Sequence, residues 1–277
     1  MILATYMPFY RIHEVLEYFT RNVELIKPGR AIVYVDNVFH DRQREVLSKV
    51  IPSTIEVRVG NWRSRSGTWF TMLSDFQGEG DVAIMDSDNI LDPLFPKAHS
   101  LMNYDMYTVL DREAWNRGAP NTMLRSRKIG EISLGETSIP VFGYRVYEPG
   151  FRRKGTVLFI GPKQVVVYRK LPELSIIRKV EEAFLEVPPE LRPFINDEGV
   201  LGILAYLSGI RETPWIVMSN HMHHGSEHPP SRTRKAIVAS AHIKFAKALR
   251  KRFSDKAFRQ YERKYMLSLI KDAWYLF

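Results

Sequence analysis

The chain contains no cysteine. Disulfides, thiolate metal sites and cysteine nucleophiles are therefore excluded. Long apolar runs are missing as well. The longest, near Leu201 to Ile210, is far too short to span a bilayer. No basic segment precedes an apolar stretch at the N-terminus, which predicts no signal peptide. Together with the absence of cysteine, this fits a cytoplasmic protein. There is no internal repeat beyond an alternation of element types. What is present in excess is positive charge: Lys and Arg number 40 against 31 Asp and Glu, a net charge of +9. That balance favours anionic partners, whether nucleotide phosphates, lipid headgroups or nucleic acid. At 277 residues the chain is long enough to bury a sizeable core.

Strand and helix patterns alternate from the start. Ile2 to Tyr6 reads as a strand, followed by a helical stripe through Ile12, Val15, Leu16, Phe19, Val23 and Ile26, which Lys27-Pro28-Gly29 ends. Ala31 to Val35 is a second strand, Asp41 to Val50 a helix, Thr54 to Val59 a third strand, and Gly67 to Phe76 a short helix. Val82 to Met85 is the fourth strand. Such βαβ units imply an α/β fold with a mostly parallel sheet and helices on both faces. After residue 100 the pattern is less regular. Strands are expected near Asp105–Leu110, Val157–Ile160, Gln164–Tyr168 and Trp215–Met218, and helices over Leu174–Phe184 and Gly199–Ser208. Residues 112–154, rich in Gly and Arg, suit hairpins or a loop. From Lys235 onward a helical pair is expected, with Ser254-Asp255 capping its second member and basic residues on its outer faces. It can pack on the main domain, or dock on an anionic membrane.

The fourth strand ends in Asp86-Ser87-Asp88. In open α/β sheets, ligands bind beyond the carboxyl ends of the strands. Alternate strand residues face one side, so Asp86 and Asp88 can converge on one cation. Hard oxygen donors suit Mg²⁺ or Mn²⁺. The same three residues could instead end the strand in an Asx turn. Late in the chain, His221, His223, His224 and His228 compete as imidazole donors. Continued alternation would put His221 and His223 on one face, with His223 preferred. The spacing of a zinc peptidase is absent.

These strand ends together resemble the GT-A glycosyltransferases, above all the large family 2 group. The likeness is carried by Thr5-Tyr6, by Val35-Asp36-Asn37 with Asp41, by Asn61 with Arg63-Ser-Arg65-Ser-Gly67, and by Asp86-Ser87-Asp88. It continues through Asp197-Glu198-Gly199-Val200-Leu201 and His221-x-His223-x-Gly225-Ser226, and spans roughly Ile2 to Ser226. The chain departs from the pattern at its first strand, which lacks Pro-x-Tyr-Asn, and at its acidic pair, which reads Asp-Glu where Glu-Asp is commoner. The resemblance implies a GT-A domain over 1–230, with a nucleotide-sugar-binding half (1–100) and an acceptor-binding half (101–230). A basic helical extension over 231–277 would follow.

It further implies sugar transfer from a nucleoside-diphosphate-sugar to a hydroxyl acceptor, lipid-linked or glycan, with inversion. Thr5, Tyr6, Asp36, Asn61, Arg63, Arg65, Asp86 and Ser87 would bind the donor. Tyr6 can stack on a base, Asp36 can accept from a base N–H or a ribose hydroxyl, and Arg63 and Arg65 offer planar forks to a diphosphate. Mn²⁺ or Mg²⁺ would sit on Asp86 and Asp88 with His223 or His221. Counting back from Leu201, the base falls on Glu198, and Asp197 becomes a cap or a donor contact. The basic extension would place the protein against the inner face of the membrane. Trp62, Trp69 and Trp115 can form a sugar platform, although core packing is the commoner fate of tryptophan.

Two other classes remain open. A nucleotidyltransferase that makes nucleotide sugars would normally carry a Gly-rich loop after the first strand, where Met7-Pro8-Phe9-Tyr10-Arg11 stands. A nucleic-acid-binding protein would leave the aligned strand-end acids unexplained, because carboxylates repel phosphate unless a metal intervenes, and so is not favoured.

Overall fold

The structure is a computed structural model that describes residues 1–62, 64–112, 126–150, 157–161, 164–222 and 231–273. Its first strand, β1 (Ile2–Pro8), shows how the two faces are built. Leu3 and Met7 enter one core and Ile2 and Ala4 the other, as period-two alternation requires. The chain then turns through a helical stretch of mixed pitch: a 3₁₀ turn (Phe9–Arg11), α1 (Ile12–Glu14), a π turn (Val15–Phe19) and α2 (Thr20–Ile26). Lys27 stops it in the left-handed region, at φ 49°. Next come β2 (Arg30–Asp36), α3 (Asp41–Val50), β3 (Ile55–Val59), α4 (Arg65–Asp75) and β4 (Val82–Asp86).

β1 lies between β2 and β4, and β2 continues to β3, all in parallel. Tyr6 pairs with Tyr34 on one side and Asp86 on the other, so the carboxyl ends of β1, β2 and β4 lie side by side. Beyond β4 the sheet turns mixed. The later elements are β5 (Asn89–Leu91), α5 (Phe95–Leu101), β6 (Met106–Asp111), β7 (Arg127–Leu134), β8 (Thr137–Arg145), β9 (Tyr147–Pro149), β10 (Val157–Phe159) and β11 (Val165–Tyr168). They are followed by α6 (Leu174–Leu185), α7 (Asp197–Leu207), β12 (Glu212–His221), α8 (Arg232–Phe253) and α9 (Lys256–Ala273). The sheet order is β3-β2-β1-β4-β11-β6-β12-β8-β7, with β5 added to β12. The α/β sheet, parallel in its first half and covered by helices on both faces, matches the sequence expectation. So does the helical C-terminal extension.

Three differences matter for the site. Residues 127–145 form a long hairpin, β7–β8, in the region where the sequence allowed either hairpins or a loop. Asn89 to Leu91 form a short strand, β5, that the sequence did not suggest and that pairs with Ser219 to His221 of β12. β12 is ten residues long, well beyond Trp215–Met218, and carries His221 at its end. Polar residues such as Ser219 and Asn220 mask that length in the hydropathy pattern.

The extension is not a loose appendage. Ala241, Phe245, Ala246, Ala248 and Leu249 of α8, with Phe258 and Tyr261 of α9, join the same core as Ile2, Ala4 and Ile84. Among the described residues, no helix is long and apolar enough to cross a membrane. His242 is buried within this extension. Its Nδ1 lies 2.6 Å from the Tyr261 hydroxyl, and its ring stacks on Tyr265 at 4.2 Å. Burial, with the nearby charge of Lys264, pushes the imidazole down to about 3.

The unfolded chain would protonate His242 below about 6.5 while the folded chain does not. Its contribution to stability is therefore complete above that pH and falls as the solution is acidified, by up to about 1.4 kcal/mol per pH unit. Urea unfolding between pH 7.5 and pH 5 should show His242→Gln to be less stable than the parent at the higher pH but less sensitive to acid. Equal acid sensitivity in the two proteins would contradict a neutral buried His242.

Candidate active site at the strand ends

Asp36, at the carboxyl end of β2, is 1% exposed. Its Oδ1 accepts the backbone N–H groups of Asn37 (2.9 Å) and Trp62 (2.8 Å), and its Oδ2 accepts the Tyr6 hydroxyl (3.2 Å). One carboxylate thus clasps the ends of β1, β2 and the segment after β3. A carboxylate offers about four acceptor positions, so among the described residues one remains on Oδ2. Burial, reinforced by the charge and hydrogen bond of Asp36, pushes the Tyr6 hydroxyl up, so it stays a neutral donor. Thr5 donates to the Met85 carbonyl (2.9 Å) inside the sheet, so its hydroxyl ties β1 to β4. Asn61 lies exposed in the connection to α4. Arg63, His223 and Trp115 lie outside the described residues. Trp69 is core, and Trp62 packs on Tyr34 at 5.9 Å.

The acidic cluster lies at the end of β4. One ligand atom from each of Asp86, Asp88 and His221 falls within 4.8 Å of the others. His221 is brought there by the length of β12 and by its pairing with Asn89. Asp88 Oδ2 lies 3.1 Å from His221 Nε2 and accepts from Arg11 Nη2 at 3.2 Å. Burial opposes ionisation of Asp88, but the hydrogen bond and charge of His221, with the charge of Arg11, outweigh it and hold the carboxyl below its usual range. The hydrogen bond to Asp88 raises His221 against the opposing effect of burial.

Two arginines brace the cluster. Arg65, the first residue of α4, ion-pairs with Asp86 and reaches Asp197 Oδ2 through its Nε at 2.8 Å. Ser64 caps that helix by accepting the Gly67 N–H (2.9 Å), which fixes where Arg65 begins. Ser66 donates to the Ile195 carbonyl (2.8 Å) and so pins the segment before α7 against α4. Arg11 binds both Asp88 and Glu14. Glu14 is 1% exposed and also accepts the Ser87 hydroxyl. Arg11, Glu14 and Asp111, whose Oδ1 accepts the His221 N–H at 3.4 Å, were missed in the sequence. Arg11 and Glu14 stand three residues apart just after β1, and the strand-end rule that selected Asp36 and Asp86 would have found them.

Asp197 and Glu198 open α7. Asp197 faces Arg65 and the cluster. The charge of Glu198 adds to the upward shift of Tyr144 and of Tyr265, so its carboxylate lies within electrostatic reach of both. A one-residue step turns the side chain by roughly 100°, in keeping with this division. The backbone of α7 is held close by two glycines. A Cβ on Gly161 would fall 1.7 Å from the Glu198 carbonyl oxygen, and one on Gly202 would fall 2.9 Å from the Ile160 carbonyl carbon.

Two carboxylates and an imidazole at this separation fit a divalent cation. Unsatisfied polar capacity lies beside them. The Asn89 amide and the Ser219 hydroxyl are buried without a partner among the described residues. Strand register puts both on the same face as His221. Arg11 and Arg65 already engage the same carboxylates, so a cation entering here competes with them for the carboxylate charge.

No family model and no curated protein matches the sequence. Among solved structures, TarS residues 1–349 of S. aureus in complex with UDP is 12% identical, over 99% of this chain and 71% of that one, with a TM-score of 0.49. The glycosyltransferase GlyE of Streptococcus pneumoniae is 12% identical, over 92% and 64%, with a TM-score of 0.42. A UDP-glucose pyrophosphorylase complexed with UDP-glucose is 9% identical, over 79% and 91%, with a TM-score of 0.38. At such identities and TM-scores the likeness assigns neither a reaction nor a substrate to this chain.

Replacing Arg11 tests the competition between guanidinium and metal. Arg11→Gln removes one positive charge from Asp88 and leaves an amide to serve Glu14. The affinity for Mn²⁺, read by electron paramagnetic resonance, should rise by roughly tenfold, equivalent to about 1.4 kcal/mol. Unchanged or weaker Mn²⁺ binding would show that Arg11 does not compete.

Proposed function

We propose that the chain is a GT-A type glycosyltransferase that moves a sugar from a nucleoside-diphosphate-sugar to a hydroxyl acceptor, with inversion. The observation that supports this reading is the meeting of Asp86, Asp88 and His221 beyond the strand ends, next to the Tyr6–Asp36 clasp. Bound there by these three residues, Mn²⁺ or Mg²⁺ would act as a Lewis acid on the leaving diphosphate. Arg65, and Arg63 by the sequence resemblance, would donate planar hydrogen bonds to the same phosphates. Tyr6 would lie against the base, and the open acceptor position of Asp36 would take a hydroxyl or base N–H. Thr5, Asn61 and Ser87 would shape this pocket, Ser87 through its bond to Glu14. His223 remains a second candidate donor to the cation.

The acceptor hydroxyl would attack the anomeric carbon opposite the diphosphate. The new glycosidic C–O bond forms as the bond to the diphosphate breaks, and the hydroxyl proton passes to a carboxylate. Asp197 is engaged by Arg65, which makes it a positioning residue. Glu198 is the proposed base. The acceptor class fitting this reading is a lipid-linked or glycan hydroxyl. The basic extension over 235–277 would contact an anionic membrane from its inner face.

Asp88→Ala should abolish metal-dependent binding of nucleoside diphosphates while the fold survives. A titration with UDP and GDP, with and without Mn²⁺, reads this directly. Parent-like binding in the presence of Mn²⁺ would overturn the proposed metal site.

Glu198→Gln should keep donor binding and lose turnover by about 10²-fold or more. The product should carry the inverted anomeric configuration by NMR. Retained configuration would remove the need for this base, and an active Glu198→Gln beside an inactive Asp197→Asn would move the role to Asp197.

A further inference from the structure

The turn between α8 and α9 borders an open cleft of about 680 Å³ that the proposed transfer does not use. Five cationic side chains line it. Lys247, Arg250 and Lys251 come from the last two turns of α8, and Lys256 and Arg259 from the first turn of α9. The acids nearby are already engaged. Asp255 caps α9 by accepting the Ala257 N–H (2.7 Å) and also takes the Tyr206 hydroxyl (2.9 Å). Glu262 holds Arg250 at 2.5 Å, and Glu186 holds Lys251 at 3.4 Å. Lys247, Lys256 and Arg259 are exposed and form no ion pair among the described residues. Helix dipoles do not account for the excess, because the negative end of α8 and the positive end of α9 meet at this turn and largely cancel.

The outer face of α9 continues from the cleft in a specific way. Arg259, Arg263, Met266 and Ile270 recur at helical spacing and lie on one stripe. Met266 is 45% and Ile270 50% exposed. A concave cationic site thus opens onto a stripe that starts basic and becomes apolar. Soluble anions need only the first part. A membrane surface uses both, since phosphates meet the cations and the headgroup–acyl boundary covers the apolar residues.

We propose that this cleft is a binding site for the phosphate headgroup of an anionic phospholipid, with Met266 and Ile270 as the adjoining apolar contact. The proposal rests on the membrane contact suggested above and not on the transfer reaction. The site narrows that contact from the whole extension to one turn. Basic residues elsewhere on α8, such as Lys235 and Lys244, lie outside it.

Vesicle sedimentation separates the possibilities, using phosphatidylcholine alone and equal parts of phosphatidylcholine and phosphatidylglycerol. The full chain should bind the anionic vesicles and not the neutral ones. Lys256→Glu with Arg259→Glu should weaken that binding by about thirtyfold or more. Lys235→Glu with Lys244→Glu carries the same change in net charge and should weaken it by only about two- to threefold. Met266→Ser with Ile270→Ser should also reduce binding, and circular dichroism should show every variant folded. Equal losses from the two charge-reversal pairs would overturn the site in favour of unspecific attraction. Displacement from vesicles by millimolar glycerol phosphate, with no effect of Met266→Ser and Ile270→Ser, would overturn the lipid as ligand. A parent that ignores anionic vesicles yet binds Mn²⁺ and UDP would overturn this proposal alone and leave the transfer reading standing.

Discussion

Crowding of negative charge at one sheet edge is the constraint on which the site depends. Glu14, Asp86, Asp88 and Asp197 come from three separate parts of the chain, α1, the end of β4 with the turn after it, and the start of α7, and are held together by Arg11, Arg65 and His221. Without those partners the carboxylates would repel one another in a partly buried environment, where such repulsion is poorly screened. The two arginines and His221 hold the strand ends in one arrangement. In the proposed reaction each guanidinium would also compete with a metal or turn to a phosphate. A pair of acids braced only by other protein groups would be a stability device. This pair lies beyond the strand ends, beside buried polar groups that lack partners among the described residues, which is where binding is expected.

The same edge is positioned by backbone contacts that leave little room for adjustment. β1 fixes the relative heights of Asp36 and Asp86 through its register with β2 and β4. The carboxylate of Asp36 then draws the segment after β3 into place, so that α4 starts where Arg65 can reach both Asp86 and Asp197. On the far side, Gly161 and Gly202 let the start of α7 approach the end of β10 more closely than any side chain would allow. The two acids that open α7 are therefore set by contacts among backbones. Such contacts vary less than contacts among flexible side chains.

The C-terminal helices serve two faces with one amphipathic pattern. Inward, Phe245, Leu249, Phe258 and Tyr261 complete the core that also covers β1 and β4. Outward, the pair presents cations, a cleft and two exposed apolar residues. The alternatives of a packed pair and a docking surface were thus never exclusive. A helix stripe about 100° wide satisfies the core and leaves most of the circumference for other uses.

Much of this was legible in the sequence because it is local. Helical and strand periodicity located most of the elements, and the strand-end rule picked out Asp36, Asp86 and Asp88 from their position after apolar runs. The sequence left the hairpin open as one of two alternatives, and the short strand β5 and the full length of β12 were not legible, since the end of β12 is polar and the two strands pair across a long stretch of sequence. Tertiary structure alone decided which cation meets which acid. Arg11 pairs with Asp88 from 77 residues away, and that encounter follows from sheet register and strand order, which no local pattern encodes. Tertiary structure also chose between neighbours. Asp197 and Glu198 look equivalent in the sequence, but in the fold Asp197 reaches Arg65, whereas the charge of Glu198 is felt at Tyr144 and Tyr265. The sequence by itself determined the kinds of groups at the sheet edge, whereas their charge pairing arose only when the fold brought distant elements within hydrogen-bonding reach.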